Sequence, residues 1–82
     1  MADLLTASGK TMFLVSFQRS GRTLYVRRTR FEGDQLMTVD WTSERSGARQ
    51  FGRLTADTLA GQMRQPGFRF SGIAVEPVAV AQ

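Results

Sequence analysis

The stretch FLVSFQRSGRTLYV, residues 13–26, decides how the chain folds. Phe13, Val15 and Phe17 point one way, and Met12, Leu14, Ser16 and Gln18 the other, which is the two-residue period of a strand with one strongly apolar face. Ser20-Gly21 supplies a tight turn, because glycine tolerates the positive φ that two-residue hairpin loops need. Such a loop sets the register: Phe17 opposite Leu24, Val15 opposite Val26 and Phe13 opposite Arg28, with Ser16 facing Tyr25 and Leu14 facing Arg27 on the reverse side. The apolar residues of both strands then land on one face, which supports the pairing.

Downstream, a second turn at Gly33-Asp34 leads into QLMTVDWT, residues 35–42. Pairing about that turn sets Val39 beside Arg28 and Trp41 beside Val26 on the first face. On the second face it sets Asp40 opposite Arg27 and Leu36 opposite Phe31. The polar, glycine-interrupted SERSGARQFG, 43–52, reads as a loop with a short fourth strand at Ala48 to Phe51. A helix of about ten residues follows. Thr55 is its N-cap, Asp57 places negative charge in the first turn, and Leu54 stands where a hydrophobic staple to Leu59 would form. Ala56, Leu59, Ala60 and Met63 make one apolar stripe, and Pro66-Gly67 ends the run. In FRFSGIAVEPVAV, 68–80, the alternation changes phase at Gly72, predicting a bulge, and Pro77 marks the edge or the end of pairing.

The expected architecture is α+β: an antiparallel sheet of four to five strands with a single helix on one face, in the order β-β-β-(β)-α-β. A chain of 82 residues is one domain, 1–82, with residues 1–10 expected as a flexible N-terminal segment and 77–82 as a flexible tail. At this size folding hides roughly 60–65% of the unfolded chain's surface, so the core is a single thin layer.

Composition narrows the function. There is no cysteine and no histidine, so thiolate and imidazole metal sites are excluded and no disulfide framework exists. SGKT, residues 8–11, looks like the tail of a phosphate-binding loop, but Leu4 stands where that motif needs glycine, and a strand follows instead of a helix. Paired-carboxylate catalysis would need two of the acids Asp3, Glu32, Asp34, Asp40, Glu44, Asp57 and Glu76 to converge, and for Glu32 and Asp34, in a turn, solvation is the simple explanation; a nucleophilic Ser or Thr would have only Lys10 or a carboxylate as base. The expectation is a protein that is not an enzyme and uses no cofactor. The start is a poor signal peptide and nothing approaches a membrane span, so the chain reads as cytoplasmic and without a membrane partner.

What remains is charge. Lys and Arg total 11 against 7 Asp and Glu, a net charge of +4, and all but Lys10 of the basic residues are Arg. A GC-rich coding sequence alone would favour arginine. Arg19, Arg22, Arg27, Arg28 and Arg30 nevertheless fall together without an acid among them, and Tyr25 and Phe31 are expected on the same face as Arg27. Basic groups interleaved with aromatics on a sheet suit single-stranded DNA or RNA, where charge follows the backbone and rings stack on bases. The same face should carry Met12, Leu14, Tyr25, Phe31 and Leu36, with Arg27, Thr29 and Thr38 around them. An apolar patch rimmed by polar groups marks a protein contact or a homodimer interface. Arg45, Arg49 and Arg53 recur in the following loop, where solvation is the default reading and extension of the basic surface the alternative.

From Val39 to Met63, Trp41-Thr42, Ala48, Phe51, Leu59 and Ala60 follow a layout that resembles one common among small phage and prophage proteins: a strand ending in Trp-Thr, an A-x-x-F, a short amphipathic helix and a last strand. It covers about a third of the chain. Small size, absence of cofactor chemistry and one helix on a short sheet are similar in kind to phage-encoded anti-CRISPR proteins. That resemblance implies an inhibitor, acting in the bacterial cytoplasm, that binds a host protein or nucleoprotein complex such as a CRISPR surveillance complex and blocks its target-DNA contacts. These proteins share no common motif, so no functional residue is carried over. The sequence thus favours partner recognition through Tyr25, Arg27 and Phe31, with Arg19, Arg22, Arg28 and Arg30 as charged rim; nucleic-acid binding is the alternative.

Overall fold

The computed structural model describes residues 11–78. Strands β1 (Phe13–Arg19), β2 (Arg22–Glu32) and β3 (Gln35–Thr42) are followed by a 3-10 turn (Arg45–Gly47), helix α1 (Arg53–Met63) and strand β4 (Ser71–Pro77). The strands form one antiparallel sheet in the order β3-β2-β1-β4, with α1 packed on one face: the α+β fold expected. The segment 1–10 lies outside the described residues, as do residues 79–82. Of the expected flexible tail, Pro77 pairs with Phe13, and the Val78 N–H donates to the Met12 carbonyl at 2.8 Å.

The first hairpin closes at Ser20-Gly21, where both residues have positive φ, 54° and 76°. This is the backbone whose twist matches that of the flanking strands. From the closing pair Arg19 and Arg22 the register runs through Phe17 opposite Leu24 to Ser16 opposite Tyr25, as the turn dictates. There the strands part. The Arg49 N–H donates to the Val26 carbonyl at 3.0 Å, and Phe13 and Phe51 exchange both backbone hydrogen bonds at 2.8 Å. The expected pairs of Val15 with Val26 and Phe13 with Arg28 are therefore replaced. The expected fourth strand is reduced to a single bridge wedged between β1 and β2. The splay delivers Phe51 to the core, in one buried cluster with Val15, Phe17 and Val26.

Helix α1 begins two residues before the expected N-cap. Gly52 caps it without a side-chain bond, its carbonyl accepting the Ala56 N–H at 2.9 Å. Thr55 thus lies inside the first turn, and Leu54, at 79% exposed, staples nothing to buried Leu59. The apolar stripe itself is as the spacing requires: Ala56, Leu59, Ala60 and Met63 are all buried against the sheet. At its other end Gln62 grips the second hairpin, donating to the Asp34 carbonyl and accepting the Leu36 N–H at 2.8 Å.

Three irregularities bend the sheet. In the β1–β4 ladder the register shifts beside Gly72, whose φ of 61° favours glycine and where a side chain's Cβ would come within 2.6 Å of Gln18 Cγ. In the β2–β3 ladder Arg27 and Arg28 together oppose Asp40, and Met37 is inserted between Thr38 and Leu36. The second insertion restores the count at the Gly33-Asp34 turn, but between the two the register is displaced by one residue.

Candidate functional site

That one-residue displacement rearranges which side chains share a face. Val26 and Trp41 remain partners on the helix side. Arg28 pairs with Asp40 instead of Val39, so it leaves the core-facing row where simple alternation would put it and joins Arg27 on the opposite face. Thr29 takes the place beside Val39, which packs against the core. Arg30, opposite Thr38, falls on the outer face again. The bulge has an energetic logic: an arginine beneath the helix would lose its hydration without an acid to pair with.

The outer apolar patch expected from Met12, Leu14, Tyr25, Phe31 and Leu36 is not assembled. Leu36 is 1% exposed and belongs to the core with Leu59 and Met63. Its partner Phe31 lies on the same helix-side row, 39% exposed at the sheet's far end. Leu14 is on the outer face but only 3% exposed. It borders a hollow of about 420 Å³ lined also by Arg45, Ser46, Ala48, Gln50 and Val78. Tyr25 is half-buried, with the Arg45 guanidinium 6.0 Å above its ring. Of the expected trio, Tyr25 and Arg27 share a face and Phe31 does not.

Ion pairs then decide which arginines have charge to spare. Arg27 Nη2 donates to Asp40 Oδ2 at 2.6 Å, and this hydrogen bond holds the Asp40 carboxyl below the usual carboxylate range. Arg45 is tied to Glu76, which also accepts from the buried Ser16 hydroxyl at 3.1 Å; Glu76, then Tyr25, raise the Arg45 guanidinium above its ordinary value. Looser pairs join Arg30 to Glu32 at 3.9 Å and Arg53 to Asp57 at 3.4 Å. Arg19, Arg22, Arg28, Arg49, Arg64 and Arg69 have no acidic partner among the described residues. The outer face of β2 thus presents Tyr25, Arg27, Arg28 and Arg30 in one row, next to a loop carrying Arg45 and Arg49.

Sequence reasoning missed Trp41 as a surface residue. It is 37% exposed near the turn end of the first hairpin, with the Arg19 guanidinium 4.7 Å from its ring centroid. The available signal was its place next to the last residue of an edge strand, where a large ring is covered on one side only. Among the described residues no cluster of three or more acids could hold a metal ion, and no helix is long and apolar enough to cross a membrane. No protein-family model matches the chain, and neither a curated protein nor a solved structure shows significant similarity to it.

Proposed function

We propose that this chain is a non-catalytic binding protein whose ligand is a single-stranded nucleic acid, gripped by the sheet face that the helix leaves free. The observation that carries this reading is the bulge at Arg27, which places Arg27, Arg28 and Arg30 on that one face. With Tyr25 in the same row, and Arg28 and Arg49 lacking acidic partners among the described residues, the surface combines spare charge with an aromatic ring. That is the combination single-strand binders use.

Dispersal of the apolar anchor lowers the competing reading of a protein partner, but one observation still favours it. Phe31 and Met37 are 39% and 42% exposed on the second hairpin, at the end of the sheet away from Arg19 and Arg22. In that second reading the chain is an inhibitor of a host nucleoprotein complex, a CRISPR surveillance complex being the case the resemblance suggests.

Fluorescence anisotropy of a labelled oligonucleotide separates the two. Contacts to about four phosphates predict an affinity falling with salt on a log–log slope of about −3. Absence of binding at low salt would sink the nucleic-acid reading. Capture of one defined complex from bacterial lysate, retained after nuclease treatment, would install the protein-directed one.

A further inference from the structure

The turn end of the first hairpin holds a groove of about 360 Å³, lined by Arg19, Arg22, Leu24, Trp41, Thr42 and Ser43. Its size lies within the range of small-molecule sites, about 300–1,000 Å³. Arg19 and Arg22 are direct cross-strand partners, and like charges so placed repel each other. Neither has an acidic partner or a side-chain hydrogen bond among the described residues. Arg19 is held by aromatic contact instead, 4.7 Å from the Trp41 centroid and 5.9 Å from that of Phe17. Such contact neutralises none of its charge and offers its N–H groups no acceptor.

Trp41 is itself fixed. The fully buried Phe17 meets it edge-on at 5.7 Å and 88°, and Phe70 does so at 6.5 Å and 85°. A half-exposed indole on a rigid base, two unpaired guanidinium groups across one ladder rung, an apolar contribution from Leu24 and hydroxyls at Thr42 and Ser43 make a defined chemical demand. An anion bridging Arg19 and Arg22 removes their repulsion. A flat apolar ring next to that anion would cover Trp41 and Leu24.

We infer that this groove takes one nucleotide unit, with its phosphate between Arg19 and Arg22 and its base against Trp41. The inference rests on the nucleic-acid reading above and adds a discrete subsite to it, on the helix-side row at the turn end of the first hairpin, across the sheet from Arg27, Arg28 and Arg30. The same chemistry would accept a unit within a strand or a free nucleotide.

Trp41 is the sole tryptophan, so its intrinsic emission reports on this groove alone. The full chain would be titrated with inorganic phosphate, a nucleoside monophosphate and a ten-nucleotide oligothymidylate, with anisotropy of the labelled oligonucleotide read in parallel. The expected result is Trp41 quenching that tracks anisotropy for the oligonucleotide, weaker quenching by the mononucleotide, and little from phosphate. Arg22→Gln should weaken the quenching titration tenfold or more, while Arg64→Gln, at the end of the helix, changes it by less than threefold. Quenching by the mononucleotide without oligonucleotide binding supports the groove with a free nucleotide as its ligand, and the strand reading fails separately. Phosphate as effective as the mononucleotide overturns the base contact. A rise in anisotropy with Trp41 emission unchanged overturns the inference and leaves the nucleic-acid reading standing. Silence in both readouts removes the two together.

Discussion

Arg27 donates to Asp40 at 2.6 Å although the ladder places Asp40 opposite Arg28. The bulge thus sets two arginines opposite one carboxylate, and only its extra residue is paired with it. This arrangement makes the acid a titratable brace for the irregularity that arranges the basic face.

The pH dependence follows from the sign of the Asp40 shift. Its carboxyl is held below the ordinary range, chiefly by the Arg27 hydrogen bond. Its contribution to stability is therefore complete above the unfolded-state value and is lost as pH falls through the folded one. Asp40→Asn should lower the melting temperature slightly at pH 7, and the gap to wild type should close as pH falls below the ordinary aspartate value of about 3.9. Melting curves across that range test it; a gap that stays constant in acid would mean Asp40 acts through packing alone.

Arg28 and Arg30 should contribute to binding without contributing to folding. For a single strand each phosphate contact adds about 0.7 to the salt slope, so Arg28→Gln and Arg30→Gln should each flatten it by about that amount. Unfolding free energies should stay within about 0.5 kcal/mol of wild type, as for surface changes generally. Salt titrations with parallel urea melts would show it. An unchanged slope in both variants would remove the outer face of β2 from the interface.

Gly72→Ala should destabilise the domain by about 1–3 kcal/mol, the cost of a strained backbone residue held by its surroundings. The left-handed φ of 61° and the close approach to Gln18 act together here. Urea denaturation gives the number directly, and a neutral substitution would show that β4 pairs without its bulge.

Gln62→Leu removes both bonds that fasten helix to hairpin. A loss of about 1–3 kcal/mol is expected, because the part-buried Leu36 N–H is left without a partner. Amide exchange at Leu36 should accelerate more than at residues of the first hairpin. Equal acceleration everywhere would point to global destabilisation with no local clamp.

What could be read from the residues was whatever is counted outward from a turn over a short distance. Phe17 opposite Leu24 and Phe31 opposite Leu36 both lie close to their loops, and the helical stripe needs only local spacing. Gly72 announced its bulge because glycine breaks the alternation. The bulges at Arg27 and Met37 carry no such mark, and a single uncounted residue sends every later side chain to the other face. The clue was a physical conflict: strict alternation put Arg28 under the helix and Leu36 in solvent. A register shift resolves both at once. The wedge of Arg49 and Phe51 had no local sign, because its hydrogen bonds go to partners far back in the chain. The candidate site was legible in composition, as a basic strand with aromatics, but the distribution of those side chains between faces depended on the two unmarked bulges.

The bridge from Phe13 to Phe51 also sets an order of assembly. Zippering from Ser20-Gly21 can run only as far as Ser16 and Tyr25, where the native ladder between β1 and β2 ends. Completing the rest requires closing the long loop that contains β3, and distant contacts of this kind form more slowly than local ones. Until that segment docks, the inner halves of β1 and β2 stand as open strand edges rich in Leu14, Val15 and Val26, the kind of surface through which folding chains aggregate. The interval between hairpin closure and arrival of Phe51 is thus the step at which crowding during synthesis would do most harm.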